Sequence, residues 1–209
     1  CTNVLNNFKN KFSFMSDLGI YLHLGFKHII SWGAWDHILF VLVLTLRYQW
    51  ADWKKLLVLI TAFTIGHSVT LALSTLNWLD FPSAMIELLI PITILLTAIS
   101  NFWVKSFHFK SKYPLIYFLA LFFGLIHGLG FSSYLKSLLG MEESILGPLF
   151  TFNIGLELGQ LLIVGGILII SFIFVSHIKV KRVLYLQIGS GLAIALALNM
   201  VLDRILPII

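Results

Sequence analysis

Residues 53–76 read WKKLLVLITAFTIGHSVTLALSTL. After Lys54 and Lys55 the next 21 residues carry no acidic or basic side chain except His67, a run long enough to cross the ~30 Å hydrocarbon core of a bilayer as one helix. Apolar residues fall on every face of that helix, as they do where no face meets water. Runs of the same kind lie to either side, at about 33–46, 82–103, 113–138, 146–175 and 182–206. Six spans are therefore expected, with a partly amphipathic stretch at 16–30 that lies at the interface or re-enters. Trp32, Trp35, Trp50, Trp53, Trp78 and Trp103 fall near the expected helix ends, as interfacial tryptophans should.

Composition agrees with this reading. Of 209 residues, 59% are hydrophobic and 11% charged, and the mean hydropathy is +0.97. The fold class is all-α, a polytopic membrane helix bundle, divided as an extracytoplasmic or interfacial segment 1–31 and a single bundle domain 32–209. No sizeable soluble domain fits, which excludes a nucleic-acid-binding module, a Rossmann enzyme or a disulfide scaffold. The net charge of +5 is better read as topology. Nine of the fourteen basic residues, Arg47, Lys54, Lys55, Lys105, Lys110, Lys112, Lys179, Lys181 and Arg182, lie in or beside alternate connections. The intervening connections hold Asp80, or Lys136 with Glu142 and Glu143, so both termini are expected to face outward. Lys9, Lys11 and Lys27 run against that bias. The chain opens on Cys1, which implies a removed upstream signal or a trimmed chain, and one cysteine permits neither an internal disulfide nor a cysteine metal cluster.

Ionisable side chains at membrane depth are costly unless paired, hydrated or metal-bound, so they point to function. Asp36 and His37 open the first span, His67 lies in the second with Thr64 and Ser68, Glu87 in the third, His127 in the fourth, and Asn153, Glu157 and Gln160 in the fifth. Counting ~1.5 Å per residue, His67 and His127 each stand ~20 Å above the inner start of their helices, and the carboxylates approach the same outer-half level. A lone intramembrane histidine is more often a hydrogen-bonded packing residue. Three histidines and several carboxylates at one depth instead point to a shared site. Asn153 and Glu157 share a helix face at i and i+4, and Gln160 extends it by a turn. Gly124, Gly128 and Gly130 around His127 permit close helix approach or expose carbonyls to an ion, and Gly155 with Gly159 has GxxxG packing spacing. Pro91 removes a backbone donor one turn past Glu87. His23, His108 and His177 fall at segment ends or in loops and are expected to be solvated.

Five ordered motifs carry a resemblance: Gly25-Phe-Lys-His28, Trp35-Asp36-His37-Ile-Leu-Phe40, Thr61-Ala-Phe-Thr-Ile-Gly-His67-Ser-Val-Thr-Leu71, Gly124-Leu-Ile-His127-Gly-Leu-Gly-Phe131 and Phe152-Asn-Ile-Gly-Leu-Glu157-Leu-Gly-Gln160. Together with Glu87 they resemble the HupE/UreJ family of membrane proteins, from about Gly25 to Gln160. The resemblance implies a nickel or cobalt permease of a bacterial-type inner (cytoplasmic) membrane, linked to hydrogenase or urease maturation. It implies His28, Asp36 and His37 as a metal motif, and His67, Glu87, His127 and Glu157 as deeper polar positions. The gap between His28 and Asp36 is longer here than is usual in the family.

The residues themselves support transport of a divalent nickel, cobalt or zinc ion. Imidazole and carboxylate donors suit all three, and the lack of membrane-embedded cysteine disfavours copper(I). In this reading His37, His67 and His127 bind, with His28 added as the resemblance implies, Asp36, Glu87 and Glu157 offset charge, and Asn153, Gln160, Ser68 and Thr64 orient the ligands. The partners are the lipid bilayer and the ion, with a homo-oligomer through Gly-rich helix faces as a further expectation. With no nucleotide-binding motif, the membrane potential, a proton gradient or downstream trapping would drive transport. The alternative is an intramembrane metal-dependent hydrolase or a glutamate-type membrane protease, with Glu157 and Glu87 as the catalytic carboxylates.

Overall fold

A computed structural model describes residues 18–31, 33–104, 107, 115–139 and 145–206. Cys1, Lys9, Lys11, Trp32, Lys105, His108, Lys110, Lys112, Glu142 and Glu143 lie outside the described residues. The helices are α1 (Leu18–Ile30), α2 (Trp35–Thr45), α3 (Trp53–Thr75), α4 (Ser83–Ser100), α5 (Leu115–Leu139), α6 (Leu146–Ser171) and α7 (Arg182–Ile205). Five of the apolar helical runs are each long enough to cross a membrane, and a sixth span is made if α1 and α2 count as one, broken by a 70° bend. The chain is thus a helical membrane bundle.

Local chemistry sets the ends. At the close of α3, Asn77 takes the left-handed conformation (φ 59°), so that Trp78 N donates to Leu73 O and Asn77 N to Ser74 O. These two bonds satisfy carbonyls that would otherwise be orphaned, and asparagine tolerates that φ better than most residues. Pro82 stands immediately before α4, and Pro91 interrupts its hydrogen-bond ladder opposite the carbonyl of Glu87. α4 tightens into a 3₁₀ turn at Asn101–Trp103, and α6 continues as a π-helical stretch at Phe172–His177.

The central pair is α3 with α5. α2, α4 and α7 pack around one side, with Phe40, Phe63, Ile94 and Ala120 among the buried core residues. α1 is not laid apart from this bundle. Its Tyr21 and Ile29 share a second core cluster with Leu71, Leu135, Phe152 and Leu156, so its described part packs against the other helices. The outward faces carry large apolar side chains such as Val58, Ile65, Phe118, Leu162 and Leu192, which suit contact with lipid tails.

At one end of the bundle a polar layer ties four elements together. Arg47, just past α2, donates to Asn101 Oδ1 and to Ser100 Oγ. Asn101 Nδ2 donates to Val43 O at 3.1 Å and to Ser190 Oγ at 2.8 Å. Arg182 donates to Arg47 O at 2.8 Å and faces Asp52 at 3.9 Å, which also pairs with Lys55 at 2.7 Å. The histidines lie toward the other end.

Candidate metal centre

Two helix contacts place the site. A Cβ on Gly66 would stand 2.1 Å from Leu121 O, and one on Gly124 would stand 2.2 Å from Phe63 O. The glycines are reciprocal, so α3 and α5 touch backbone to backbone, and the residues beside them, His67 and His127, are drawn into one layer. The same device docks α1 on α6. A Cβ on Gly25 would lie 1.9 Å from Phe152 O and one on Gly155 2.0 Å from Leu22 O. That contact carries His28, one turn on from Gly25 in α1, inward. Gly155 and Gly159 therefore spend their spacing on α1, within the chain.

The bend between α1 and α2 then folds His37 back onto His28, with ring centroids 4.7 Å apart. His67 lies 6.1 Å from His28 and 6.3 Å from His37, and His127 lies 5.2 Å from His37. One ligating atom from each of His28, His37 and His67 falls within 4.8 Å of the others. Tetrahedral ligation at about 2.0–2.1 Å needs donor nitrogens about 3.3 Å apart, so the three rings would draw closer on binding an ion.

Hydrogen bonds choose the free nitrogen on two of the rings. His127 Nδ1 faces Phe123 O at 2.8 Å, and since a carbonyl only accepts, Nδ1 carries the proton and Nε2 keeps its lone pair. His37 Nδ1 faces Asp36 Oδ1 at 2.8 Å, and donation to the carboxylate again frees Nε2. Among the described residues, the buried His28 Nε2, His37 Nε2, His127 Nε2 and both ring nitrogens of His67 have no hydrogen-bond partner. His67 and His127 are wholly buried. Polar atoms buried without partners are rare in folded proteins, and several converging on one point form a donor set suited to a metal ion. Aromatic rings enclose them: Phe131 lies 3.9 Å from His28, Phe152 stacks on His67 at 6.4 Å, and Phe40 and Phe63 sit 5.1 and 5.2 Å from His127.

A cavity of about 290 Å³ opens onto this cluster. His28, Asp36, His37 and His127 line it together with Glu87, which is exposed on its wall. His67 lies behind them. Arg204, near the end of α7, and Ser31 also line it, and neither is predicted from sequence. The signal for Arg204 was available: an arginine at the far end of the last span, away from the connections where most basic residues gather.

The remaining predicted residues stand elsewhere. Glu157 Oε1 accepts a bond from Thr61 Oγ1 at 2.7 Å, and Gln160 Oε1 accepts one from Thr64 Oγ1 at 2.9 Å. Ser68 donates to Thr64 O at 2.6 Å, and Asn153 Nδ2 to Leu149 O at 2.8 Å. The α3–α6 seam thus holds Glu157 outside the set of mutually reachable donors. Thr61 belongs to this seam and escapes a search for ionisable groups alone. His23, within α1, and His177, at the close of the π-helical stretch, are exposed.

No curated protein and no solved structure matches the chain. A family model described as HupE / UreJ protein matches residues 5–204, nearly its whole length. The match reaches all seven helices, and on that ground the chain belongs to the HupE/UreJ family.

Proposed function

We propose that this protein carries a divalent first-row transition-metal ion, nickel or cobalt with zinc as the third candidate, across the membrane. The observation that supports this most directly is the convergence of His28, His37 and His67, with donor atoms within 4.8 Å and buried nitrogens lacking partners among the described residues. Neutral imidazoles ligate these ions, and Asp36, bonded to His37, contributes charge and fixes its tautomer. The ion enters through the cavity, where Glu87 and Asp36 attract it and His28, His37 and His127 replace its water. His67 then completes the set from behind. Membership of the HupE/UreJ family supports the same reading.

The test is the metal content and affinity of the purified protein, measured by elemental mass spectrometry and calorimetry with Ni²⁺, Co²⁺ and Zn²⁺, together with uptake into proteoliposomes. His67→Ala with His127→Ala is expected to abolish stoichiometric binding and uptake while leaving helicity intact. Unchanged affinity in that double variant would overturn the site. One observation favours a second reading, hydrolysis: three histidines beside a cavity whose wall carries Glu87 are also the parts of a water-activating zinc site. Tight zinc retention without uptake of any of the three ions would favour it.

A further inference from the structure

The histidine cluster is closed on the side away from its cavity. Phe40, Phe63 and Phe123 meet there, with Phe40 centroids 5.0 Å from Phe63 and 5.8 Å from Phe123, directly against His127. Beyond that aromatic floor, toward α4 and α7, stands Arg47, tied to Asn101 and Ser100. A dication leaving the cluster on this side meets hydrocarbon and then a fixed positive charge.

The α3–α6 seam offers a different environment. Along α3, Thr64 is one turn from His67 and Thr61 two turns, ~4.5 Å and ~9 Å by helical rise. Each hydroxyl is bonded to a side chain of α6, Thr64 to Gln160 and Thr61 to Glu157. Gln160 and Thr64 are buried and Glu157 is half-buried. Among the described residues, Glu157 is the one carboxylate between the cluster and the layer formed by Arg47 and Asp52. A cation within a low-dielectric bundle needs compensating charge and oxygen donors at every stop, and this pair of rungs has both.

We infer that Glu157 and Gln160, with Thr61 and Thr64, form a second cation station that receives the divalent metal ion from the histidine cluster and passes it toward the Arg47 end of the bundle. This rests on the metal-transport reading above. Its donors are oxygens, harder than the imidazoles, so it holds a first-row dication more weakly than the cluster and releases it readily. Glu157 then contributes to translocation and little to equilibrium loading.

Ni²⁺ and Co²⁺ supply the test, with binding measured on the solubilised full chain and uptake in proteoliposomes carrying an internal metal-sensitive dye. Glu157→Gln keeps the shape and the Thr61 bond but removes the charge. The expected result is uptake reduced roughly tenfold or more with first-ion affinity changed less than about threefold. Wild-type uptake in Glu157→Gln would overturn the inference, and so would loss of first-ion binding in a folded variant, which would make Glu157 a ligand of the cluster. Thr61→Val provides the parallel case should Glu157→Gln not fold: it removes one donor from the carboxylate, and reduced uptake at unchanged affinity is expected, while unchanged uptake would overturn the inference. His67→Ala separates the two claims. Normal metal binding in that variant would remove the cluster reading itself, whatever Glu157→Gln does.

Discussion

Asp36 both lines the cavity and holds His37, and that makes it the sharpest residue-scale probe. Its carboxylate accepts from His37 Nδ1 and from the His37 backbone N–H, both at 2.8 Å, so it fixes ring orientation and tautomer at once. Asp36→Asn preserves volume and one acceptor while removing the charge. The expected outcome is affinity for Ni²⁺ or Co²⁺ weakened by about 10- to 100-fold, the usual cost of losing a group that orients a metal-binding histidine, with thermal stability close to wild type. Calorimetry beside a melting curve measures both. At this scale the sequence was informative for His67 and His127, because helical rise counted from the basic connections puts both at one depth. It was less informative for Glu157. Depth brought it to the level of the site, but the hydrogen bond from Thr61, which depends on how α3 and α6 face each other, holds it in the seam.

At the scale of elements, the site is a product of two close helix contacts. Gly66 and Gly124 let α3 meet α5, and Gly25 and Gly155 let α1 meet α6, each with no room for a Cβ. Gly124→Val should therefore push α3 from α5, costing about 1–3 kcal/mol as overpacking does and separating His67 from His127. Gly165→Val is the matched control, since nothing lies within 4 Å of a Cβ there. Metal affinity and melting temperature are expected to fall together in the first variant and to hold in the second; equal behaviour would detach the glycine contact from the site. The limits of 33–46 and 53–76 sit within two residues of α2 and α3, because charge and tryptophan mark where a helix leaves the membrane. What hydropathy could not supply is the 70° break between α1 and α2. That bend brings His37 back to His28 only because α1 lies against α6, a contact between segments more than a hundred residues apart.

The whole molecule has two unlike ends, and under the transport proposal their chemistry predicts a direction. One end holds Arg47, Lys55 and Arg182 around Asp52, with Lys179 and Lys181 exposed beside them; the other holds the cavity with Glu87 and Asp36. Basic connections are retained on the cytoplasmic side, so the cavity is expected to load from outside and the Glu157 rung to discharge inward. The basic-residue count along the sequence already suggested this orientation. The bonds that turn those charges into a closed layer, Arg47 to Asn101 and Asn101 to Ser190, join residues from three separate spans and could not be read from any one of them. Single cysteines decide the matter. In a Cys1→Ser background, Lys179→Cys should react with a membrane-impermeant maleimide only in inside-out vesicles, and Asp80→Cys, in the exposed turn between α3 and α4, only in right-side-out ones. The reverse pattern would turn the cavity to the cytoplasm. The same histidines would then load from inside, and the protein would export the ion rather than import it, since a cavity open to one face takes its cargo from the face it sees and the Glu157 seam would release it at the other.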